Sequence, residues 1–153
     1  MIIPCFLIIY YGNYYYDTGL FEKTVSPEKL PYGIVEVCEE MLRIEDEPKC
    51  VADLYPSCYI REYSGKIKQL YGRNAVGFIT SFGGKAKEIY NASHVDGDFY
   101  TVFDYCINHG YHFVVTVYNR EIDENLCNIM GFKEILTIPD YYHLYYYTGV
   151  TEQ

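Results

Sequence analysis

The amino-acid sequence predicts an α/β (α+β) domain in which helices flank a mixed, mostly antiparallel central sheet of roughly six or seven strands. Three observations lead there. In the last third, two stretches carry apolar residues at helical spacing, and each is followed by an aromatic or β-branched run of strand length. Glycine or proline marks most of the boundaries between such stretches. Half of the 153 residues are hydrophobic, enough for a single domain with one core and no metal or disulfide support.

Taken in order, residues 5–16 read as a strand broken at Gly12-Asn13. Ser26-Pro27-Glu28 reads as a helix start, with Ser as cap and Pro in the first turn. Ile34, Val37, Cys38, Met41 and Leu42 extend that helix to about Ile44, and Pro48 closes it. Residues 49–56 are ambiguous, a short helical turn before Pro56 being one reading. From Cys58 onward the pattern predicts a meander: a hairpin over 59–71, then strands over 75–82 and 85–92 joined at Gly83-Gly84. Asp98 can cap a helix with Phe99, Val102, Phe103, Cys106 and Ile107 on one face, ended by Gly110. Residues 111–118 follow as a strand. Asn119 can cap a second helix bearing Ile122, Leu126, Ile129 and Met130, closed by Gly131. Strands at Phe132–Ile138 and 141–147 finish the chain, joined by Pro139-Asp140. A helix between two strands implies a parallel pair with a right-handed crossover.

The net charge of −9 argues against direct nucleic-acid binding by the chain as a whole. Acidic residues concentrate at Glu36, Glu39, Glu40, Glu45, Asp46 and Glu47, and basic ones between Arg61 and Lys87. Twenty tyrosines and no tryptophan fit the codon bias of an AT-rich genome, a virus or phage among the sources, and also fit an interface. Six cysteines without a CxxC pair or zinc-type spacing predict free thiols, a reducing, cytoplasmic setting and no metal. The apolar start lacks a basic flank and a cleavage site, and no apolar run is long enough to span a membrane. Nucleophile-elbow, Walker and dinucleotide motifs are absent; Gly83-Gly84-Lys85 reads as a hairpin turn.

Between residues 75 and 135, five features stand in order: Val76-Gly77-Phe78-Ile79 on a strand, a strand over 86–95, a helix over 98–109, Gly110-Tyr111, and Met130-Gly131-Phe132-Lys133-Glu134. In order and spacing this stretch resembles the GNAT N-acetyltransferases, and it is loosely similar to acetyltransferase-like internal virion proteins of phages. The resemblance implies acetyl-CoA as cofactor, held by a glycine-rich loop between the 86–95 strand and the long helix. That loop here is Ser93-His94-Val95-Asp96-Gly97-Asp98-Phe99, so Val95, Asp96, Gly97, Asp98 and Phe99, with Asn119, are the cofactor-binding candidates. One glycine remains, and two carboxylates stand where a diphosphate would lie, which opposes its binding. The resemblance puts the general acid four residues before Gly131, at Cys127, with Tyr118 or Tyr142 as substitutes. His94 is the candidate base for an acceptor amine. Each also has a plain reading: Cys127 as a packed small residue, His94 as a loop histidine.

Two functions follow. The one favoured here is a degenerate, non-catalytic member of the fold that binds a protein partner, with homodimerisation through strand 141–147 as one mode. The alternative is an active acetyl-CoA-dependent N-acetyltransferase; an acidic inhibitor of a host nucleic-acid-binding complex is a special case of the first.

Overall fold

The computed structural model describes residues 30–71 and 84–149. The strands expected over 5–16 and 75–82, the helix start at Ser26-Pro27-Glu28 and the Val76-Gly77-Phe78-Ile79 signature lie outside the described residues.

Helix α1 (Ile34–Ile44) begins at Gly33, which has φ 85°. A Cβ there would stand 2.9 Å from Ile138 Cγ2 and 3.2 Å from Tyr142 Cδ2, so the bare glycine lets the helix start press onto the sheet. Strand β1 (Lys49–Ala52) leads into α2 (Leu54–Tyr63), with Pro56 in the first turn where no amide hydrogen is needed. The short strand β2 (Lys68–Gln69) follows, then α3 (Lys85–Asn91), which passes directly into a π-helical turn over Ala92–Asp96. Helix α4 (Phe99–His109) ends at Gly110, φ 68°. Strand β3 (Phe113–Val117), helix α5 (Glu124–Met130), and strands β4 (Phe132–Ile138) and β5 (Tyr142–Tyr147) complete the order.

Among the described residues, five strands form one sheet in the order β2-β1-β3-β5-β4. β1 is parallel to both β2 and β3, whereas β5 is antiparallel to β3 and β4. The core has two halves, one on each face. Val51, Val114 and Tyr145 pack under α3, α4 and α5, with Phe103 stacked on Phe132 at 4.0 Å. Cys50, Phe113, Val115 and Leu144 pack under α1 and α2 through Val37, Met41 and Ile60. Alternation along each strand sends successive side chains to opposite halves, and burying one such aromatic is worth about 1.5–3 kcal/mol.

Several expectations are corrected. The hairpin over 59–71 is instead the end of α2 and the short β2, because Pro56, Ser57 and Ile60 share one buried helical face. The strand expected over 85–92, or 86–95 in the acetyltransferase pattern, is α3 and its π-helical turn, whose Ile89, Ala92 and Ser93 are buried at helical spacing. The parallel neighbour of β3 is therefore β1, not residues 86–95. Asp123, not Asn119, caps α5, its carboxylate accepting from Leu126 N; Asn119 sits exposed in the preceding turn. β5 lies inside the sheet, so strand 141–147 offers no edge for pairing with a second copy. Among the described residues, no helix is long and apolar enough to cross a membrane.

Candidate functional site where the parallel strands part

In a sheet of order β2-β1-β3, the chain leaves β1 on one face toward β2 and returns on the other to β3. The carboxyl ends of β1 and β3 thus flank a topological switch point, where open α/β sheets characteristically bind ligands. β1 stops at Ala52, paired with Val115, while β3 runs on to Val117. Asp53 N still donates to Val115 O at 2.8 Å, and then the main chain turns away into α2.

Side chains occupy the gap. The Asp53 carboxylate, 5 % exposed, accepts from Val117 N through Oδ2 at 3.0 Å, taking the place of a strand carbonyl. Its Oδ1 accepts from Arg120 Nη1 at 3.3 Å. Arg120 also donates to Ser93 O and His94 O, each at 2.7 Å, tying the π-helical turn to the end of β3. His94 closes the other side. Leu54 N donates to its Nε2 at 3.0 Å, so the ring proton sits on Nδ1, 2.6 Å from Ser93 Oγ. Ser93 Oγ in turn donates to Tyr90 O, and the Tyr90 ring stacks on His94 at 4.2 Å. Burial holds the imidazole below its ordinary range; Asp53 opposes this and Arg120 assists it. The lone pair a general base would use is thus engaged by Leu54 N–H.

The loop expected to hold a diphosphate is also committed. Asp98 N donates to Ala92 O and Phe99 N to Gly97 O. The Asp98 carboxylate accepts from Thr101 N and Thr101 Oγ1, and these bonds hold it below the usual carboxylate range. Amide groups that would cradle a phosphate therefore already have partners, and a carboxylate caps the helix. Val95, Asp96, Gly97 and Asp98 are exposed around this cap, and Phe99 is buried beneath it.

The three catalytic candidates do not converge. His94 belongs to the Asp53 cluster. Cys127 is 4 % exposed on α5 and lines a separate cavity between α5, β4 and β5. Burial, with Glu134, Asp123 and Glu124 nearby, pushes its thiol up to about 11. Tyr118 is exposed beyond β3, with its main chain bonded to Tyr141 O and His143 Nε2. Tyr142 is buried at the start of β5. No group of His, Cys, Asp and Glu among the described residues can hold a metal. Asp53 and Arg120 carry the cluster, and the sequence reading singled out neither; an apolar run ending in Asp, Cys50-Val51-Ala52-Asp53, was the available signal.

Exposed tyrosines surround this end of the sheet. Tyr55 follows β1, Tyr118 follows β3, and Tyr141 precedes β5, with Tyr32 4.9 Å from Tyr141 and Tyr59 5.1 Å from Tyr55. Compared with protein-family models, with curated proteins and with solved structures, the chain shows no match.

Proposed function

We propose that this chain is a non-catalytic α/β module, a degenerate relative of the acetyltransferase fold, that binds a protein partner through the tyrosine-lined carboxyl end of its parallel strands. One observation carries the reading: the crevice where a cofactor would enter is filled by Asp53, His94 and Arg120, whose polar groups already bond one another and the main chain. The order strand, helix, strand, strand over 113–147, with a parallel strand beside the first, supports the fold relationship. The ring of Tyr32, Tyr55, Tyr118 and Tyr141 supports the partner, since tyrosine anchors interface cores at low entropic cost. The acidic segment contributes less than its composition suggests. Glu40 pairs with Arg43, Glu45 with His112 and Glu47 with Lys68, so a broad negative surface imitating nucleic acid is not favoured.

The test is calorimetric titration of the purified chain with acetyl-CoA. The reading expects no saturable heat up to about 1 mM, a Kd weaker than roughly −4 kcal/mol in free energy. Saturable micromolar binding would replace it with the active acetyltransferase, using acetyl-CoA and an acceptor amine. The partner face is tested by a Tyr55→Ser, Tyr118→Ser, Tyr141→Ser variant in affinity capture. Loss of a partner that the parent retains supports the reading, and retention of every partner refutes it.

A further inference from the structure

His143 is buried on β5 and takes no part in the crevice. Its surroundings follow from an irregularity in β4. Along an unbroken strand Glu134 and Thr137, three residues apart, would face opposite sides of the sheet. The pairing of β4 with β5 shifts register between Glu134 and Leu136, and this bulge brings the two side chains together. Glu134 Oε1 accepts from Thr137 Oγ1 and lies 2.6 Å from His143 Nδ1. On the other side of the ring, Nε2 lies 3.1 Å from Tyr118 O.

The two contacts can be counted in protons. A main-chain carbonyl only accepts, so the bond to Tyr118 needs its proton on Nε2. A carboxylate also only accepts, so the contact at Nδ1 needs a second proton, on the ring or shared with Glu134. A neutral ring beside an ionised Glu134 would satisfy one partner and turn a lone pair on the other. The geometry thus holds one proton more than neutral imidazole and carboxylate together.

A partner for the other state stands beside the ring. Thr116 is opposite His143 in the β3–β5 register, 1 % exposed, and its Oγ1 has no hydrogen-bond partner among the described residues. Residues so opposed share a face, with Cβ atoms about 4.5–5.5 Å apart. The titratable groups around the ring are Glu134 from β4 and the phenol of Tyr145 on β5, whose ring centre is 6.3 Å away. Cys127, Asp123, Glu124 and Glu121 lie beyond them on the α5 side. Lys133 borders the same cavity as Glu134, and among the described residues no Lys or Arg pairs with this group.

We propose that His143 is a proton-operated latch: doubly protonated, it ties Tyr118 to the β4–β5 pair, and on losing one proton to solvent it keeps Glu134, releases the Tyr118 carbonyl and accepts from the Thr116 hydroxyl. The shorter, charge-assisted contact is the one retained, so the proton that leaves is the one on Nε2. Nε2 then becomes an acceptor, which opposes the Tyr118 carbonyl and suits the Thr116 O–H. Tyr118 is 56 % exposed, so water can take over its carbonyl. The latch would set how firmly Tyr118 is held in the tyrosine face; its bearing on a partner rests on the reading above, and the latch itself does not.

Nuclear magnetic resonance of the full chain, with no partner added, tests the latch separately from the partner reading. Between about pH 5 and 9, the His143 ring nitrogens and the Tyr118 carbonyl carbon should shift together in one step. Both nitrogens should carry protons on the acid side, and Nδ1 alone on the alkaline side. Thr116→Val deletes an unpaired hydroxyl, so it should keep the fold and move the step to higher pH, since the neutral ring loses its donor. Glu134→Gln keeps an acceptor without the charge and should move the step to lower pH. His143→Gln should abolish the step at Tyr118. Absence of the step, a Tyr118 carbonyl that ignores the titration of His143, a neutral ring protonated on Nε2, or a step that Thr116→Val leaves in place would overturn the proposal.

Discussion

Replacing Asp53 with Ala would remove the group that fills the gap between β1 and β3. Three consequences can be worked from the structure. Val117 N–H loses its acceptor at a half-buried position at the sheet end, which costs about 1–3 kcal/mol. Arg120 loses its ion pair, but its side chain is 26 % exposed and keeps two carbonyl partners, so solvent limits that loss to about 1 kcal/mol. A small cavity remains beside Leu54. The sum is about 2–4 kcal/mol, within the range for large single-site effects. With an m value of about 2 kcal/mol/M, the middle of the usual urea range, the midpoint should fall by about 1–2 M. Asp53→Asn keeps an acceptor for Val117 N and loses the charge, so it should fall by less than half as much. Urea unfolding followed by circular dichroism checks both. The opposite result, Asp53→Ala within about 0.5 kcal/mol of the parent or more stable, would refute the reasoning. It is the behaviour of a buried carboxylate kept for chemistry at a cost in stability.

Other outcomes follow from the same geometry. Gly33→Ala imposes a left-handed φ on alanine and puts its Cβ 2.9 Å from Ile138, so thermal unfolding should report a loss of about 2–4 kcal/mol; a loss under about 0.5 kcal/mol contradicts the packing of α1 on the sheet. His94 is held below its ordinary range in the fold, so the folded chain binds fewer protons than the unfolded one. Its contribution is therefore full above the imidazole value of about 6.5 and is lost as pH falls through the lowered folded value. The stability gap between the parent and His94→Gln should narrow between pH 7.5 and 5, and parallel profiles would count against it. With its thiol pushed up to about 11, Cys127 should alkylate at pH 8 at least 100-fold or so more slowly than an exposed thiol, as read by mass spectrometry. Alkylation at the exposed-thiol rate would revive a nucleophilic role.

What the sequence reveals divides along a physical line. Elements set by local chemistry are legible in it. Asp98 caps α4, Gly110 and Gly131 end their helices in the left-handed region, and Phe132–Ile138 forms the expected strand. The misreadings fall where local preference is ambiguous. Tyr59, Ile60 and Tyr63 suit a strand, but in α2 Ile60 is buried against α1 and the tyrosine rings lie toward its edges. Residues 85–91 contain the helix formers Lys85, Ala86, Lys87 and Glu88, a preference the acetyltransferase pattern overrode. Asn119 and Asp123 are both capping residue types, and only the main-chain path after Arg120 decides between them. The site was the least legible part. Leu54 and His94 lie 40 residues apart, and Asp53 and Arg120 lie 67 apart, so no spacing rule brings them together. The acetyltransferase resemblance places Cys127 by its distance from Gly131, yet only the cavity between α5, β4 and β5 shows what surrounds it.

Amide hydrogen exchange at Leu54 and Val117 tests most directly whether the crevice between β1 and β3 is closed. Both amides lie at a sheet end and donate to side chains, Leu54 to His94 and Val117 to Asp53, instead of to the main chain. If the crevice is held shut, both should exchange with the slow core amides of β3, at protection of about 10³ or more, and Asp53→Ala should release Val117 selectively. Fast exchange at both positions in the parent chain, beside a protected β3, would mean that the crevice opens freely and would contradict the account.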